Sequence, residues 1–242
     1  KNILKLFFTN DDQLISLNAK TGEPIKDFGN NGIVKIGSTP IPPTIIDNIL
    51  VVATSRPAIE AYDVDSGKLH WKYYLREINK NVFGSKDFKG GNPWGGISTD
   101  TKKGIVFLTT GNPKPNYVGT SRPGKNLFSN SIIAFDVRKK EKLWHFQETC
   151  HDLWNADIPS TPILTTINKY EKRIDVVVAV TKLGNTLILD RNTGEPIFDY
   201  EMKLAPASKI PGEKTCQYQP SLKLPEPFAR NVFKKEDVTN LS

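Results

Sequence analysis

A short phrase built on an Asp or Asn and closed by turn residues occurs four times along the 242-residue chain. Each copy follows an apolar run and precedes another strand-like segment, and the Asp or Asn positions are 45, 73 and 54 residues apart. The four copies are 17–22 (LNAKTG), 62–67 (YDVDSG), 135–138 (FDVR) and 189–194 (LDRNTG). A propeller blade takes about 40–50 residues, so this periodicity predicts a repeat fold whose longer intervals carry functional loop insertions.

The second copy shows what one repeat predicts. The β-branched apolar run 49–53 predicts a buried strand, and the alternating segment 58–63 predicts the next strand. Residues 65–67 are turn formers, because Asp can bond to its own backbone and Gly accepts positive φ, and 68–73 alternates again. The other copies repeat this order with segments 104–108, 131–136, 142–146, 174–180, 185–190 and 196–200. Since no segment has a long 3.6-residue apolar period, the chain is predicted to be an all-β propeller of about four blades.

Composition and charge indicate which classes of protein the chain can belong to. Hydrophobic residues make up 38% of the chain, enough for a sizeable core, and no apolar run is long enough to span a membrane. The net charge of +7 is spread over single Lys residues and pairs, which favours a solvated basic surface over nucleic-acid binding. The chain opens on the strand-like segment 3–8 rather than on a signal peptide. Both ends are therefore predicted to be cuts, and residues 1–242 to be a partial propeller.

The two cysteines, Cys150 and Cys216, are far apart and form no CxxC pair. That spacing argues against a metal site built on them and leaves two alternatives, free thiols or one disulfide. The cellular compartment cannot be inferred from them.

Several motifs, in order and with characteristic spacing, resemble the pyrroloquinoline-quinone (PQQ) dehydrogenases, closest to the glucose, quinate, polyol and alcohol branch. The motifs are Trp94-Gly95-Gly96, 110–115 (TGNPKP), 122–126 (RPGKN), 151–159 (HDLWNADIP), 181–185 (TKLGN) and the Pro-rich stretch 211–228. The resemblance implies an eight-bladed propeller with PQQ on its axis, in the periplasm. Four repeats amount to half of such a ring, so the missing half, or a second copy of this chain, would complete it.

The resemblance assigns roles to three residues. Trp94, flanked by the glycines of 90–96, would be the floor on which PQQ stacks, whereas Trp71 and Trp144 are interpreted as packing residues. Asn112 would supply an oxygen ligand to Ca²⁺, with an Asx turn before proline as its alternative. Lys182 would hydrogen-bond a quinone oxygen and stabilise charge as hydride arrives, with a solvated lysine as its alternative.

Two departures from the family pattern bear on catalysis. Asn155 stands where the resembling motif carries its Asp general base, and an amide has no useful basicity near neutrality. Asp157, two residues on, would face the same side of a strand as Asn155 and could act as base or as a ligand of Ca²⁺ or a lanthanide; a structural hydrogen bond is its alternative. The loop 53–58 is short and lacks the metal-binding Glu of the alcohol branch, since Glu60 falls in the following strand. His151 and Asp152 are interpreted as loop braces.

Two functional hypotheses follow from these residues. The first is an enzyme fragment that oxidises a sugar, polyol or alcohol by hydride transfer to PQQ, with doubtful activity because of Asn155. The second is a non-catalytic propeller of the same family that serves as a scaffold or binding module. Trp94, Asn112 and Lys182 favour the first for ancestry, and Asn155 with the short loop favours the second for present activity.

Overall fold

The computed structural model describes residues 3–75, 91–169, 171–230 and 234–239. Its strands form five antiparallel sheets in which hydrogen-bonded neighbours are consecutive in sequence. Blade 1 comprises β1 (Lys5–Asn10), β2 (Gln13–Asn18) and β3 (Ile33–Lys35); blade 2 comprises β4 (Thr44–Ile46), β5 (Ile49–Thr54), β6 (Ala58–Asp63) and β7 (Leu69–Tyr74). Blade 3 comprises β8 (Ile97–Asp100), β9 (Ile105–Thr109), β10 (Ser131–Asp136) and β11 (Glu141–Gln147); blade 4 comprises β12 (Ile163–Lys169), β13 (Lys172–Val180) and β14 (Thr186–Asp190).

A two-stranded ribbon follows blade 4. It pairs β15 (Tyr200–Leu204) with β16 (Tyr218–Leu222), and a single 3₁₀ turn (Lys235–Asp237) comes after it. Among the described residues, no helix has the length and apolarity needed to cross a bilayer. The predicted all-β architecture of about four blades is confirmed, two of them with four strands and two with three.

The sequence analysis misplaced one strand and did not predict the first strands of three blades. Segment 196–200 is not a strand of blade 4, because Pro196 lacks the N–H that a ladder requires; an isolated bridge joins it to Leu189, and β15 begins only at Tyr200. The first strands of blades 2, 3 and 4 were not predicted. The first two of these have only three and four residues, too few to show a period.

Three buried clusters lie between successive blades and form the core. Neighbouring residues of one central strand alternate between two clusters: Leu50 and Val52 face blade 1, whereas Val51 faces blade 3. Phe107 faces blade 4, while the residues on either side of it face blade 2. Since successive side chains of a strand point to opposite faces, both faces of the central strands of blades 2 and 3 are buried. That is why these segments read as continuous apolar runs.

The repeated phrase is a turn at one end of each blade. Asp63 Oδ1 accepts hydrogen bonds from the backbone N–H groups of Asp65 (3.2 Å) and Ser66 (2.7 Å). Asp190 Oδ1 does the same for the two positions that follow Arg191, at 2.8 and 3.0 Å. These are Asx turns, so the signature of the repeat is a structural device and belongs to the end of the fold opposite the long loops.

The turn glycine also sets the spacing between blades 3 and 4. Trp144 donates from Nε1 to the Arg191 carbonyl at 3.1 Å, and a Cβ on Gly194 would lie 2.5 Å from the Trp144 ring. Trp71 packs against the cluster between blades 2 and 3, 5.6 Å from the ring of Phe135. The interpretation of Trp71 and Trp144 as packing residues is confirmed.

Strand direction decides where the loops emerge. Within each blade the strands run alternately up and down, so the Asx turns leave at one end and the connections 55–57, 110–130, 148–162 and 181–185 leave at the other. The long insertions that stretch the repeat spacing therefore all gather at one end of the propeller.

We expect Gly194→Ala to lower the free energy of unfolding more than Gly22→Ala does. Both glycines end the same repeated turn at nearly equal φ (+76° and +75°), so the left-handed strain of roughly 1–2 kcal/mol is common to both. Only Gly194 has a ring within 4 Å, whereas nothing lies that close to Gly22, and overpacking adds roughly 1–3 kcal/mol. Urea unfolding of the two variants measures the difference. Equal losses would show that the Trp144 contact does not limit this turn.

Candidate functional site

Three residues of the long loops meet at the carboxylate of a fourth, Asp157. Asp157 Oδ1 accepts the Asn112 backbone N–H at 2.8 Å and the Trp94 indole Nε1–H at 3.2 Å. Its Oδ2 forms a short ion pair with the ammonium group of Lys182. Asp157 is buried, only 3% exposed. The structure thus joins residues from the connections β7–β8, β9–β10, β11–β12 and β13–β14, although they lie up to 88 positions apart in the chain.

Glycines make this approach possible. A Cβ on Gly111 would lie 2.4 Å from Asp157 Oδ1 and 2.6 Å from Trp94 Nε1, and one on Gly95 would lie 2.5 Å from Thr109 Oγ1. A larger residue at position 111 would separate the indole from the carboxylate, and one at position 95 would collide with Thr109 and the Pro159 backbone. The expectation that glycines let the backbone approach closely at Trp94 is met at residues 91–96, while Gly90 lies outside the described residues.

Trp94 and Lys182 present a flat ring beside a cation. The Lys182 Nζ lies 5.8 Å from the centroid of the Trp94 ring, within cation–π range. Trp94 is 37% exposed and the Lys182 side chain 39% exposed, so both can still contact a ligand. Lys182 opens the turn after β13, as predicted, and its backbone N–H bonds to the Asp157 carbonyl at 3.1 Å. This pair is the part of the site suited to a planar anionic molecule.

Asn112 is buried and held by its backbone. Its side-chain Nδ2 makes a long bond of 3.4 Å to the Pro113 carbonyl, so its Oδ1 is the atom that could serve as a ligand. Within the described residues, no group of three or more His, Cys, Asp or Glu side chains could hold a metal ion. Glu60 lies in β6, as predicted, where Lys72, Tyr62 and the Gly37 N–H occupy its oxygens. It cannot replace the Glu that the short loop lacks.

The prediction that Asn155 and Asp157 lie on the same face of a strand is wrong. Residues 151–159 form a loop, and Asn155 has φ +62°, a conformation that turns it away from an extended path. Its Nδ2 instead donates to the Tyr117 hydroxyl at 3.2 Å. Asn155 is half-buried and Tyr117 is exposed, so this amide–phenol pair is open to solvent.

His151 and Asp152 brace the loops, as interpreted from the sequence. His151 Nδ1 lies 2.6 Å from the Gly124 carbonyl, and burial lowers the pKa of His151, which favours the neutral ring. Asp152 accepts the backbone N–H groups of Trp154 and Ala156 at 2.7 and 2.8 Å. These bonds fix the path of the loop that carries Asn155 and Asp157.

A buried arginine fixes the neighbouring loop 113–126. Arg122 is 1% exposed, and its guanidinium donates to Pro115, Asn116, Asn126 and the Asp152 carbonyl. Sequence reasoning placed Arg122 in a family motif without a role. Arginine is almost never fully buried, and its sequence neighbours, Ser121 and Pro123, give no sign of this burial.

The segment after β15 closes over these loops. Cys150 and Cys216 form a disulfide across 66 positions, which settles the alternative left open by the sequence. Gln219 accepts the Cys150 N–H at 2.8 Å, and Glu213 accepts the Gly119 N–H at 2.8 Å. In the chain-entropy account, a loop of this length contributes about 4 kcal/mol to stability. The disulfide therefore tethers the site loops to the ribbon.

The sequence was compared with family models and with known proteins. The family model described as "PQQ: Glucose/ethanol/alcohol dehydrogenase, beta-propeller domain" matches residues 3–242. Quinoprotein glucose dehydrogenase A of Acinetobacter calcoaceticus is 32% identical over 233 residues, covering 85% of this chain and 29% of the relative. The glycerol dehydrogenase large subunit of Gluconobacter thailandicus is 29% identical over 240 residues, covering 88% and 32%.

Solved structures agree on the fold. The quinohemoprotein alcohol dehydrogenase of Comamonas testosteroni superposes with a TM-score of 0.69 at 22% sequence identity, covering 90% of this chain and 37% of that protein. The chain spans about a third of the length of the curated relatives it matches. The family model, the ordered motifs and the blade architecture agree, and the chain belongs to the PQQ-dependent glucose, ethanol and alcohol dehydrogenase β-propeller family.

Proposed function

We propose that this chain forms part of a periplasmic PQQ-dependent dehydrogenase that oxidises a sugar, polyol or alcohol. The observation that carries the proposal is the convergence of Trp94 and Lys182 on Asp157. An exposed indole face beside an exposed ammonium group fits a flat, anionic quinone. The Cys150–Cys216 disulfide supports an oxidising compartment such as the periplasm.

The chain's own residues would hold PQQ in two ways. The Trp94 ring, fixed by its bond to Asp157, offers a stacking surface, and Lys182 offers a charge-assisted hydrogen bond to a quinone oxygen. PQQ, when bound, supplies the acceptor for a hydride from the alcohol carbon. Lys182 would stabilise the negative charge that develops on that oxygen, and its ion pair with Asp157 keeps it aimed before substrate arrives.

The described residues fit a metal less well than they fit the quinone. Asn112 Oδ1 and Asp157 are the two predicted ligands, and Ca²⁺ takes six to eight oxygens. One Asp157 oxygen is paired with the Lys182 ammonium, which would repel a divalent ion. The roles of Asn112 and Asp157 as ligands of Ca²⁺ or a lanthanide stay predictions, and no step of the reaction is derived through a metal.

The proton of the substrate hydroxyl has no evident acceptor among the proposed site residues. Asn155 cannot take it, and Asp157 is buried and ion-paired. This arrangement supports the second candidate function, a propeller of the same family that binds without catalysis. The two candidates differ in turnover: the enzyme oxidises substrate, whereas the binding module does not.

PQQ titration, followed by quenching of tryptophan emission, tests the binding site. We expect Lys182→Gln to weaken binding about 10–100-fold, because a hydrogen bond to a charged group contributes roughly 1.5–3 kcal/mol. Lys209→Gln, which removes an exposed lysine of the segment after β15, is the matched control and should leave the affinity unchanged. Trp94→Leu should remove most of the quenching. Equal affinities for the Lys182 and Lys209 variants would reject the proposed site.

Asn155→Asp should raise dye-linked dehydrogenase activity in the full-length polypeptide that carries this sequence. General-base catalysis contributes about 10²–10⁴-fold, and Asp tolerates the positive φ of this position as Asn does. The new carboxylate could accept a hydrogen bond from the Tyr117 hydroxyl, which preserves the local contact. Asn155→Ser is the control that changes the residue without adding a base. Turnover by the unaltered protein as fast as that of the Asp variant would mean that another group serves as base.

The two ends of the blade series predict assembly. Apolar side chains are exposed on blade 1 and on the ribbon, with Leu4 at 65%, Leu6 at 51%, Met202 at 53% and Leu204 at 67%. We propose that the rest of the propeller, or a second copy of this chain, covers them. We expect concentration-dependent association in sedimentation velocity, reduced by Leu204→Lys and unaffected by Leu69→Lys on the outer strand of blade 2. A monomer at every concentration would contradict this expectation.

A further inference from the structure

Two buried residues face each other where β10 begins and β11 ends. Ser131 pairs with Gln147 in the ladder, and the Glu148 backbone N–H donates to the Asn130 carbonyl at 2.9 Å. The pairing therefore continues one step beyond the strands, to Asn130 opposite Glu148. Both side chains are nearly or completely inaccessible to solvent. Sequence reasoning assigned neither of them a role.

Glu148 holds the turn that carries Lys182. Its Oε1 accepts hydrogen bonds from the Thr181 hydroxyl at 3.0 Å and from the Asn185 amide at 2.8 Å. Thr181 and Asn185 bracket the turn and are joined by a backbone bond of 3.0 Å. The second oxygen, Oε2, is buried and has no hydrogen-bond partner within the described part of the chain.

Asn130 holds the loop that carries Asp157. Its amide nitrogen donates to Asp152 Oδ2 at 3.1 Å and to the Ala156 carbonyl at 2.7 Å, and these two acceptors fix the orientation of the amide. Its side-chain oxygen is also buried, and no donor reaches it from the described residues. Two buried acceptors thus stand unsatisfied between the two loops that form the Lys182–Asp157 pair.

A proton on Glu148 would satisfy this arrangement. An ionised carboxylate only accepts hydrogen bonds, whereas a carboxylic acid has one O–H to donate. An unsatisfied buried polar atom is costly, so the neutral form gains a bond that the charged form cannot make. Burial raises the pKa of Glu148 to about 7; the bonds from Asn185 and Thr181 oppose that rise, and the charge of Asp152 adds to it.

We propose that Glu148 is a positioning residue that, as a neutral acid, shares its proton with the Asn130 side-chain oxygen and so locks the Lys182 turn to the Asp157 loop. The inference deepens the proposed function, since Lys182 acts there on a bound quinone. It does not require that the quinone bind, because the Lys182–Asp157 contact is already present in the protein alone.

The charges around Glu148 determine what ionisation does. Asp152 is the charged group whose field reaches Glu148, and it is negative. Arg122 is directed at the Asp152 backbone and Lys182 at Asp157, so neither cation pairs with Glu148. Ionisation therefore places a second negative charge in a buried site, and the contact between the two loops should loosen.

The sign of the pH dependence follows from the direction of the shift. The folded protein holds the Glu148 proton up to about pH 7, whereas the unfolded chain releases it near the ordinary value of 4.5. The contribution of Glu148 to stability is therefore fully present below pH 4.5 and is lost as pH rises through about 7. The Lys182–Asp157 contact should follow the same titration.

The test reads the site without cofactor. The indole N–H of Trp94 donates to Asp157, so its ¹⁵N–¹H NMR signal, assigned with Trp94→Phe, reports the position of that carboxylate. We expect this signal to shift with a midpoint near pH 7 in the unaltered protein and to stay constant in Glu148→Gln. Glu60→Gln is the matched control: it changes a buried glutamate whose oxygens are all bonded and should keep the transition.

Two further measurements keep the outcome decisive. With ¹³C-labelled glutamate, one side-chain carboxyl should titrate near pH 7, a readout that needs no variant and survives a failure of Glu148→Gln to fold. PQQ affinity should fall about fivefold or more from pH 6 to pH 8.5 and be constant in Glu148→Gln. A flat Trp94 signal, a transition that persists in Glu148→Gln, or the absence of a glutamate titrating near 7 would overturn the proposal. Absence of PQQ binding alongside an intact NMR transition would instead reject the proposed function.

Discussion

Face-to-face packing of the blades is the constraint on which the rest of the structure depends. The central strands of blades 2 and 3 contribute alternate residues to two interblade clusters, as Val51 and Leu50 do, so both faces of these two blades are buried against a neighbour. The strands must then run up and down in register, with tight Asx turns at one end. The connections that bring Trp94, Asn112, Asp157 and Lys182 together are left at the other end.

Asp157 converts that shared end into a defined site. The carboxylate is buried and receives donors from three other loops, so it replaces lost hydration with bonds to the indole, the backbone and the ammonium group. A charged group buried in this way is stable only while its partners stay in place. The orientation of Trp94 and Lys182 is therefore tied to the packing of blades 3 and 4, although neither residue belongs to a strand.

Much of this was predictable from the sequence, and the failures have physical causes. The repeated Asp-turn phrase predicted the blades because a turn needs the same local chemistry each time, and Trp94, Asn112, Asp157 and Lys182 were named through family motifs. The first strands of blades 2 and 3 escaped prediction because three or four residues show no period. The seven-residue first strand of blade 4 was missed as well. The path of residues 151–159 also escaped, because it is a loop in which Asn155 has positive φ and whose course is fixed by hydrogen bonds of His151 and Asp152. Pairing across loops, such as Glu148 with Asn185, leaves no signal in one sequence.

The loops hold two buried carboxyl groups that differ in charge: Asp157 is ion-paired, whereas Glu148 is, under our proposal, neutral. Asp157 is balanced by Lys182 at the mouth of the site, while Glu148 lies deeper, beside the like charge of Asp152, where burial favours the proton. One group fixes the cation through charge, and the other fixes the loop of that cation through neutral hydrogen bonds. Asn155 stands in the loop that carries Asp157, and under the proposed function Trp94 and Lys182 would orient a quinone while Asn155 could not accept the substrate proton. In the proposed function, quinone binding and proton transfer would thus depend on different residues: Trp94 and Lys182 for binding, and position 155 for the proton.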